Sequence, residues 1–451
     1  MKQKSIAILY IGLILDVSFL NVILLTNINT KDNVLQKFRP TSSNNYSWNR
    51  TWDYGGVEGM GVDSQNNIIL VAPCCYGNFK IIKVNSSGDE LWSESYSRPT
   101  RGYDDWFAMD LALDSQDNIY VVGFQMNWWE GVRTDFLLTK FNSSGYQEWD
   151  IVWDYNMISN PELETEGSSI IIDSTDNIYV GINTYSNENI LAKYDTAGNQ
   201  IWNSSRDNQN ETISKLAVDS LNNIYMSGSE LNYDQDMFLL KFNSSGALQW
   251  KQTWGSNHTD YSPGLLIDAS DNIYMSGHSW LWFEASDWSE LRAYLMKINT
   301  SGHLQLNKSL GTHNYGGLAE DCIGNIYIVG ADRIYPTDGV DICLAKFNQS
   351  ETIEWEIFWG GKGREEAVHV EVDSNDNLYV AGSTYDSTTG TQTLLIKNPT
   401  NKTAPVVQKN IIDFSFSFLV FTIASIIFIM IIRFLKGKKE FDKILRQCPE
   451  M

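Results

Sequence analysis

One motif recurs seven times along the chain and limits its fold more than any bulk property does. The pattern is Asp-x-x-x-Asn followed by Ile or Leu and usually Tyr, with its Asp at Asp63, Asp114, Asp173, Asp219, Asp268, Asp321 and Asp373. The intervals are 51, 59, 46, 49, 53 and 52 residues. Six copies are followed by a second pattern, clearest as Lys-Phe-Asn-Ser-Ser-Gly-x-x-x-Trp at Lys140 to Trp149 and Lys241 to Trp250. Units this short cannot bury a core alone and must pack against their neighbours.

The second unit reads strand by strand. Leu111 to Leu113 is a short apolar strand, and Asp114 to Asn118 is a turn because Asp and Asn bond nearby backbone and tolerate positive φ. Ile119 to Gly123 returns, Phe136 to Phe141 follows a long loop, and Asn142 to Gly145 turns into Gln147 to Trp153. Four antiparallel strands per fifty residues predict β-propeller blades. The last unit lacks a fourth strand, since Asn398-Pro-Thr-Asn follows Lys397. Ser47 to Trp52 supplies the missing Trp-x-x-x-Trp of Trp149/Trp153, Trp250/Trp254 and Trp355/Trp359. The expected fold is therefore all-β: a seven-bladed β-propeller over 47–397, closed by an N-terminal strand that completes the last blade and protects its edge. A length of 451 residues suggests two or three domains, but the repeat assigns most of it to one ring.

The ends have other expected roles. Residues 1–26, with Lys2 and Lys4 before the apolar Ile6 to Leu25, read as a signal peptide or N-terminal membrane anchor, and 27–46 as a linker. After a linker at 398–410, residues 411–432 include nineteen largely apolar residues from Phe414, long enough for a transmembrane helix. The basic tail 433–451 predicts a cytoplasmic end, so the propeller is expected outside the cell membrane. The chain carries 33 basic and 55 acidic residues, net -22, which argues against nucleic acid as a partner. Asn-x-Ser/Thr triplets at Asn85, Asn142, Asn203, Asn243, Asn299 and Asn348 are candidate glycosylation sites in an exported chain. Five Cys make no disulfide scaffold, and their spacing forces no pairing.

The combination Ala-x-Asp-Ser-x-x-Asn-Ile-Tyr-Val-x-Gly with Lys-Phe-Asn-Ser-Ser-Gly-x-x-x-Trp resembles the SBBP type of β-propeller repeat of exported, membrane-anchored prokaryotic surface proteins. The commonest form of that repeat has Gly before the turn Asn. Here Gly stands there only at Gly324, with residues such as Asp117, Asp271 and Asn222 elsewhere, and Leu306 replaces the second-pattern Trp in the fifth unit. The resemblance implies architecture more firmly than activity. The Asn-Ser-Ser-Gly-x-x-x-Trp segment is also similar to the repeat of quinoprotein propellers, some of which carry an adjacent Cys pair like Cys74 and Cys75. Their cofactor and metal ligands are not recognisable in this sequence.

In a blade of this kind both short turns lie on one face, and the longer loops on the other. Those loops are rich in aromatics, so Trp106, Trp128, Trp129, Trp280, Trp282 and Trp288 are candidate platforms for an extracellular glycan or protein. The competing reading is that they fold inward as small cores of their own loops. The fourth-strand Trp residues, including Trp92, Trp202 and Trp250, are expected to pack between blades. Glu211, Asp260 and Glu365 stand eight residues before their turn Asp, and Asp105 nine. Facing one another at the channel mouth they would suit Ca²⁺; alternatively each bonds its own loop. No nucleophile with a paired base is evident. The favoured function is a membrane-anchored binding module for adhesion, envelope organisation or capture, and the alternative is an exported quinoprotein-like dehydrogenase or hydrolase using the central channel.

Overall fold

The computed structural model describes residues 47–74, 77–97, 104–127, 133–153, 164–184, 189–206, 211–230, 235–283, 288–334, 339–360 and 363–399. The expected signal segment, transmembrane helix, tail and Trp128 and Trp129 lie outside them. Among the described residues no helix is long and apolar enough to cross a membrane.

The first strand, β1 (Trp48–Trp52), precedes in sequence a series of antiparallel meanders and joins the last of them. Unit one is β2 (Gly59–Val62), β3 (Ile68–Cys74), β4 (Asn78–Val84) and β5 (Glu90–Tyr96); unit two is β6 (Asp104–Leu113), β7 (Ile119–Asn127), β8 (Arg133–Phe141) and β9 (Gln147–Trp153). Unit three is β10 (Thr165–Ile172), β11 (Ile178–Thr184), β12 (Asn189–Tyr194) and β13 (Gln200–Arg206). Unit four is β14 (Glu211–Val218), β15 (Ile224–Glu230), β16 (Met237–Phe242) and β17 (Leu248–Trp254). Unit five is β18 (Thr259–Ile267), β19 (Ile273–Phe283), β20 (Trp288–Ile298) and β21 (Leu304–Gly311). Unit six is β22 (Asn314–Glu320), β23 (Ile326–Ile334), β24 (Gly339–Phe347) and β25 (Ile353–Trp359). The last unit has β26 (Arg364–Val372), β27 (Asn377–Asp386) and β28 (Gly390–Pro399), and β1 pairs with β28 from Trp48↔Lys397 to Trp52↔Thr393. Five units are separate four-stranded sheets, and one parallel bridge, Val340↔Arg364, joins the other two. First strands touch their successors in order, and β26 touches β2. The molecule is thus all-β and propeller-like. Unit two matches the sequence reading at its turns, but its first strand begins at Asp104 instead of Leu111, because pairing continues past a bulge between Ala108 and Asp110.

Local chemistry explains the repeats. In the first turn Asp63 Oδ1 accepts from the backbone N–H of Gln65 (2.9 Å) and Asn67 (2.8 Å), while the Asn67 side chain donates to Oδ2 (2.9 Å). The residue before the Asn takes positive φ, 62° at Asp117 and 85° at Gly324. At Asn66, Asp117, Asp176, Asp271 and Asp376 the side chain joins neighbouring units: Ser64 donates through N and Oγ to Asp117 (2.8 and 2.7 Å), and Ser220 does the same to Asp271. Ser374 donates to Asn66 (3.0 and 2.9 Å) and joins the last unit to the first. Gly324 has no side chain to accept, and Glu320 takes the Ala269 N–H instead (2.9 Å). At those five positions the departure from the Gly-containing repeat therefore makes an inter-unit bond.

Fourth-strand Trp residues pack between units, as expected; Trp92 lies against Gly145 of the next unit. Trp202 lies against Tyr179 of its own unit and beneath Gly246 of the next, and Trp250 against Tyr225 and Gly302 in the same way. Trp48 occupies the equivalent place against Tyr379 and Gly88. The Gly ending Ile-Tyr-x-x-Gly has a different reason: a Cβ on Gly228 would lie 2.0 Å from the Thr212 carbonyl oxygen and 2.7 Å from the Phe238 ring. Gly228→Ala is expected to cost about 2 kcal/mol through this overpacking, read as a lower midpoint in a urea melt. An unchanged midpoint would show that the two strands separate freely there.

Candidate functional site

Trp106 is not a platform on the loop face. It is 1% exposed, in the core between units one and two, with its ring stacked on Phe79 at 6.2 Å. The cause is the extended β6, which draws it from the loop into the sheet. Trp280 is half-buried near the end of β19, paired with Leu291; Trp282 pairs with Ser289 and Trp288 with Phe283 in the same ladder. Hence a long hairpin, rather than a loose loop, carries three of the six candidates.

The proposed ring of acids does not gather around a cation. Glu211 is buried and ion-paired with Arg206 (3.1 Å) and Lys251 (2.6 Å). Asp260 is buried and accepts from Ser256 N (2.7 Å) and from the Ser279 hydroxyl. Glu365 is buried and accepts from Thr384 Oγ1 (3.2 Å), and Asp105 is half-buried against Gly77. Each acid serves its own seam. Among the described residues no group of three or more His, Cys, Asp or Glu side chains is placed to hold a metal ion. The bulges explain the displacement: an extra residue between Ile213 and Lys215, between Ala367 and His369, and at equivalent points in other first strands reverses which face the alternation presents. His313 is bonded to Asp332 (2.8 Å), and burial holds His278 down at about 4.

Beyond the bulges a cluster of six side chains does converge. Lys215 on β14 reaches Asp110 on β6 (3.1 Å), across the intervening first strand of unit three. Asp110 also accepts from Ser169 Oγ (2.8 Å), from Leu111 N (3.1 Å) and from Ile170 N (3.4 Å), and Ser169 Oγ accepts from Leu216 N (3.2 Å). The Lys215 charge also acts on Glu58, His369 and Glu371, and the His369 ring bonds to the Glu58 backbone. The six residues come from units one, two, three, four and the last, which share only the centre of the ring. Burial pushes Glu371 up to about 7, with the Asp110 charge adding to it and Lys215 opposing; burial likewise raises Glu58. Burial holds His369 down at about 4, so it is neutral at pH 7. Counting four residues back from each turn Asp finds Asp110, Ser169, Lys215 and His369, with Gly59, Gly264 and Gly317 in the other units. That count was the available signal.

Five of the candidate glycosylation Asn residues open second turns, where their carboxamide oxygens accept two backbone N–H groups, as Asn142 does from Ser144 (3.0 Å) and Tyr146 (3.1 Å). Asn203, on β13, is exposed.

No protein-family model matches the chain, and no curated protein matches it. Solved structures match in fold. A polysaccharide lyase of family PL25, an ulvan lyase, aligns with a TM-score of 0.54 at 9% identity over 78% of this chain and 96% of its own. Drosophila Semaphorin 1b, extracellular domains 1-2, aligns at 0.46 and 7% identity over 78% and 86%, and the Dos1 propeller at 0.45 and 10% over 78% and 94%. The likeness is to the architecture alone.

Proposed function

We propose that this chain is a seven-bladed propeller of the SBBP type, held outside the cell on the 411–432 membrane helix, that acts as a binding module for a glycan or protein on its loop face. The observation that carries this reading is where the ring's two ends leave it. Trp48 and Lys397 are ladder partners, and both donate to the Ser86 carbonyl, from Nε1 (3.2 Å) and Nζ (2.9 Å). Ser86 belongs to a second turn, so a tether continuing from residue 398 attaches at the turn face. The loop face, with the β19–β20 hairpin, is the face opposite that exit. In the same reading the acidic surface keeps the exported ring soluble, and the exposed Asn203 is an accessible glycosylation site.

Probing glycan and peptide arrays with the detergent-purified full chain tests this. Trp280→Ala, and separately Trp128→Ala with Trp129→Ala, are expected to weaken a bound ligand at least tenfold, as truncated aromatic anchors do. Unchanged binding in both variants would remove the loop-face hypothesis. A hydrolase working in the channel is the second reading, favoured by Glu371, whose carboxyl is shifted to where it can exchange a proton near neutral pH.

A further inference from the structure

We propose that the turn face carries a ligand site of its own, a cleft between units five and six that takes a neutral saccharide of two or three rings. It is independent of the loop face. The reasoning starts from what closes the other seams on this face. The residue after each turn Asp is Ser or Cys in six units, and the residue three after it is Asp or Asn in six. Such side chains meet across a seam, as Ser115 Oγ does with Asp176 (2.7 Å) and Cys322 Sγ with Asp376 (3.0 Å). Between units five and six both are missing, because Ala269 and Gly324 hold the two positions. Glu320 accepts the Ala269 N–H on Oε2 (2.9 Å), and its Oε1 lies 3.6 Å from where a Cβ on Gly324 would stand. Unit five departs in a further way. The Tyr after the turn donates to its own turn Asp in units two, three, four, six and the last, as Tyr327 does to Asp321 (3.1 Å). Tyr274 bonds instead to Lys297, which is held by Glu351 (2.6 Å). Among the described residues Asp268 keeps only the bonds of its own turn, and it is half-buried where the other six turn Asp residues are buried.

A cavity of about 900 Å³ opens where these departures coincide, with Asp268, Ser270, Glu320, Ile323, Gln349 and Val372 among its walls. Its chemistry selects the ligand. The charges of Asp268 and Asp321 already act on Glu320, so an anion is repelled. The volume falls among sites for organic ligands, ~300 to 1,000 Å³, and is far more than a lone cation fills. The carboxylates of Asp268 and Glu320 accept hydrogen bonds, and the Ser270 hydroxyl both donates and accepts. Gln349 donates its Nε2 hydrogen to the Ile323 carbonyl, which leaves the carboxamide oxygen to accept. Ile323, 61% exposed, and Val372 add apolar surface. A pyranose carries hydroxyls around its edge and C–H groups on its faces, so it meets both kinds of wall at once. An alkylammonium would leave the hydroxyl and the carboxamide unused, and a bare ion would leave the apolar wall uncovered.

The test uses the full chain purified in a detergent without a sugar headgroup, titrated in a calorimeter with maltose, cellobiose, lactose and diacetylchitobiose. At least one disaccharide is expected to bind with a millimolar or lower Kd and to raise the thermal midpoint progressively with concentration, as a ligand of the folded state does. The double variant Ala269→Ser with Gly324→Asp rebuilds the bridge of the other seams and fills the cleft. The backbone accepts it, since Gly324 has a φ of 85° where Asp117 has 62°, and the nearest atom lies 3.6 Å from a Cβ there. This variant should melt no lower than its parent and bind the sugar at least tenfold more weakly. Glu320→Gln, which removes a charged acceptor, should also weaken binding at least tenfold. Trp280→Ala should bind as the parent does, and a loss in that variant would move the sugar to the loop face and overturn the proposal. No binding by any of the four, tighter binding of methylguanidinium than of all four, or undiminished binding in the double variant would each overturn it as well. Should the double variant fail to fold, undiminished binding by Glu320→Gln overturns it alone.

Discussion

Deleting residues 47–52 from the full chain is expected to lower its thermal midpoint by several degrees and to make it aggregate on heating. The segment contributes more than one strand. It pairs along β28, places Trp48 against Tyr379 with ring centroids 6.1 Å apart, and donates from Arg50 Nε to the Gly88 carbonyl (2.7 Å) and from Trp52 Nε1 to Glu90 (2.8 Å). Removing a packed Trp costs about 3 to 5 kcal/mol, and each lost hydrogen bond about 1 kcal/mol more. The larger consequence is the bared edge of β28, a row of unpaired backbone groups open to another chain. Differential scanning calorimetry with light scattering reads both effects. A deletion variant as stable and as soluble as its parent would mean that β1 does not close the ring.

Replacing Glu371 by Gln is expected to stabilise the protein at pH 8 and leave it unchanged near pH 4.5. Its folded value of about 7 lies above the ordinary 4.5, so the folded chain holds a proton that the unfolded chain releases between those values. The contribution of this proton is fully present below pH 4.5 and is lost as pH rises through 7. At 1.36 kcal/mol per pH unit the loss is on the order of 3 kcal/mol, which Gln avoids by carrying no charge. His369 and His278 act in the opposite sense. Their folded values of about 4 lie below 6.5, so stability is gained as pH rises from 4 to 6.5. The Gln variant should therefore gain on the parent as pH rises from about 4.5 to 7 and keep that lead at higher pH, the histidine contribution being common to both. Urea midpoints measured between pH 4.5 and 8.5 decide it, and parallel profiles for the two proteins would count against the buried carboxyl.

The turn face was legible from the sequence and the channel was not, for a physical reason. A turn is local: Asp63 finds Gln65 and Asn67 within four residues, so the motif contains its own explanation. The β1–β28 pairing was also readable, because Trp48 carries the spacing of a fourth strand. The channel cluster joins residues from five units, and the position four before the turn Asp holds side chains as unlike as Asp110, Ser169, Lys215 and His369. Its members become neighbours only once the register is fixed, and each bulge reverses that register. Eight residues before the turn Asp therefore proved to face a seam, and four before it the centre. Trp106 was misplaced by the same local reasoning, since nothing near it announces that β6 continues to Asp104.

The pairing of β28 on both edges bears on how the ring would respond to pulling. A tether drawn from residue 399 loads β28 along its own axis, against β27 from Asn377↔Pro399 to Asp386↔Gly390 and against β1 from Trp48↔Lys397 to Trp52↔Thr393. Tension in that direction shears every rung of both ladders together instead of unzipping them in turn, so the last strand of the ring is also its mechanical clamp.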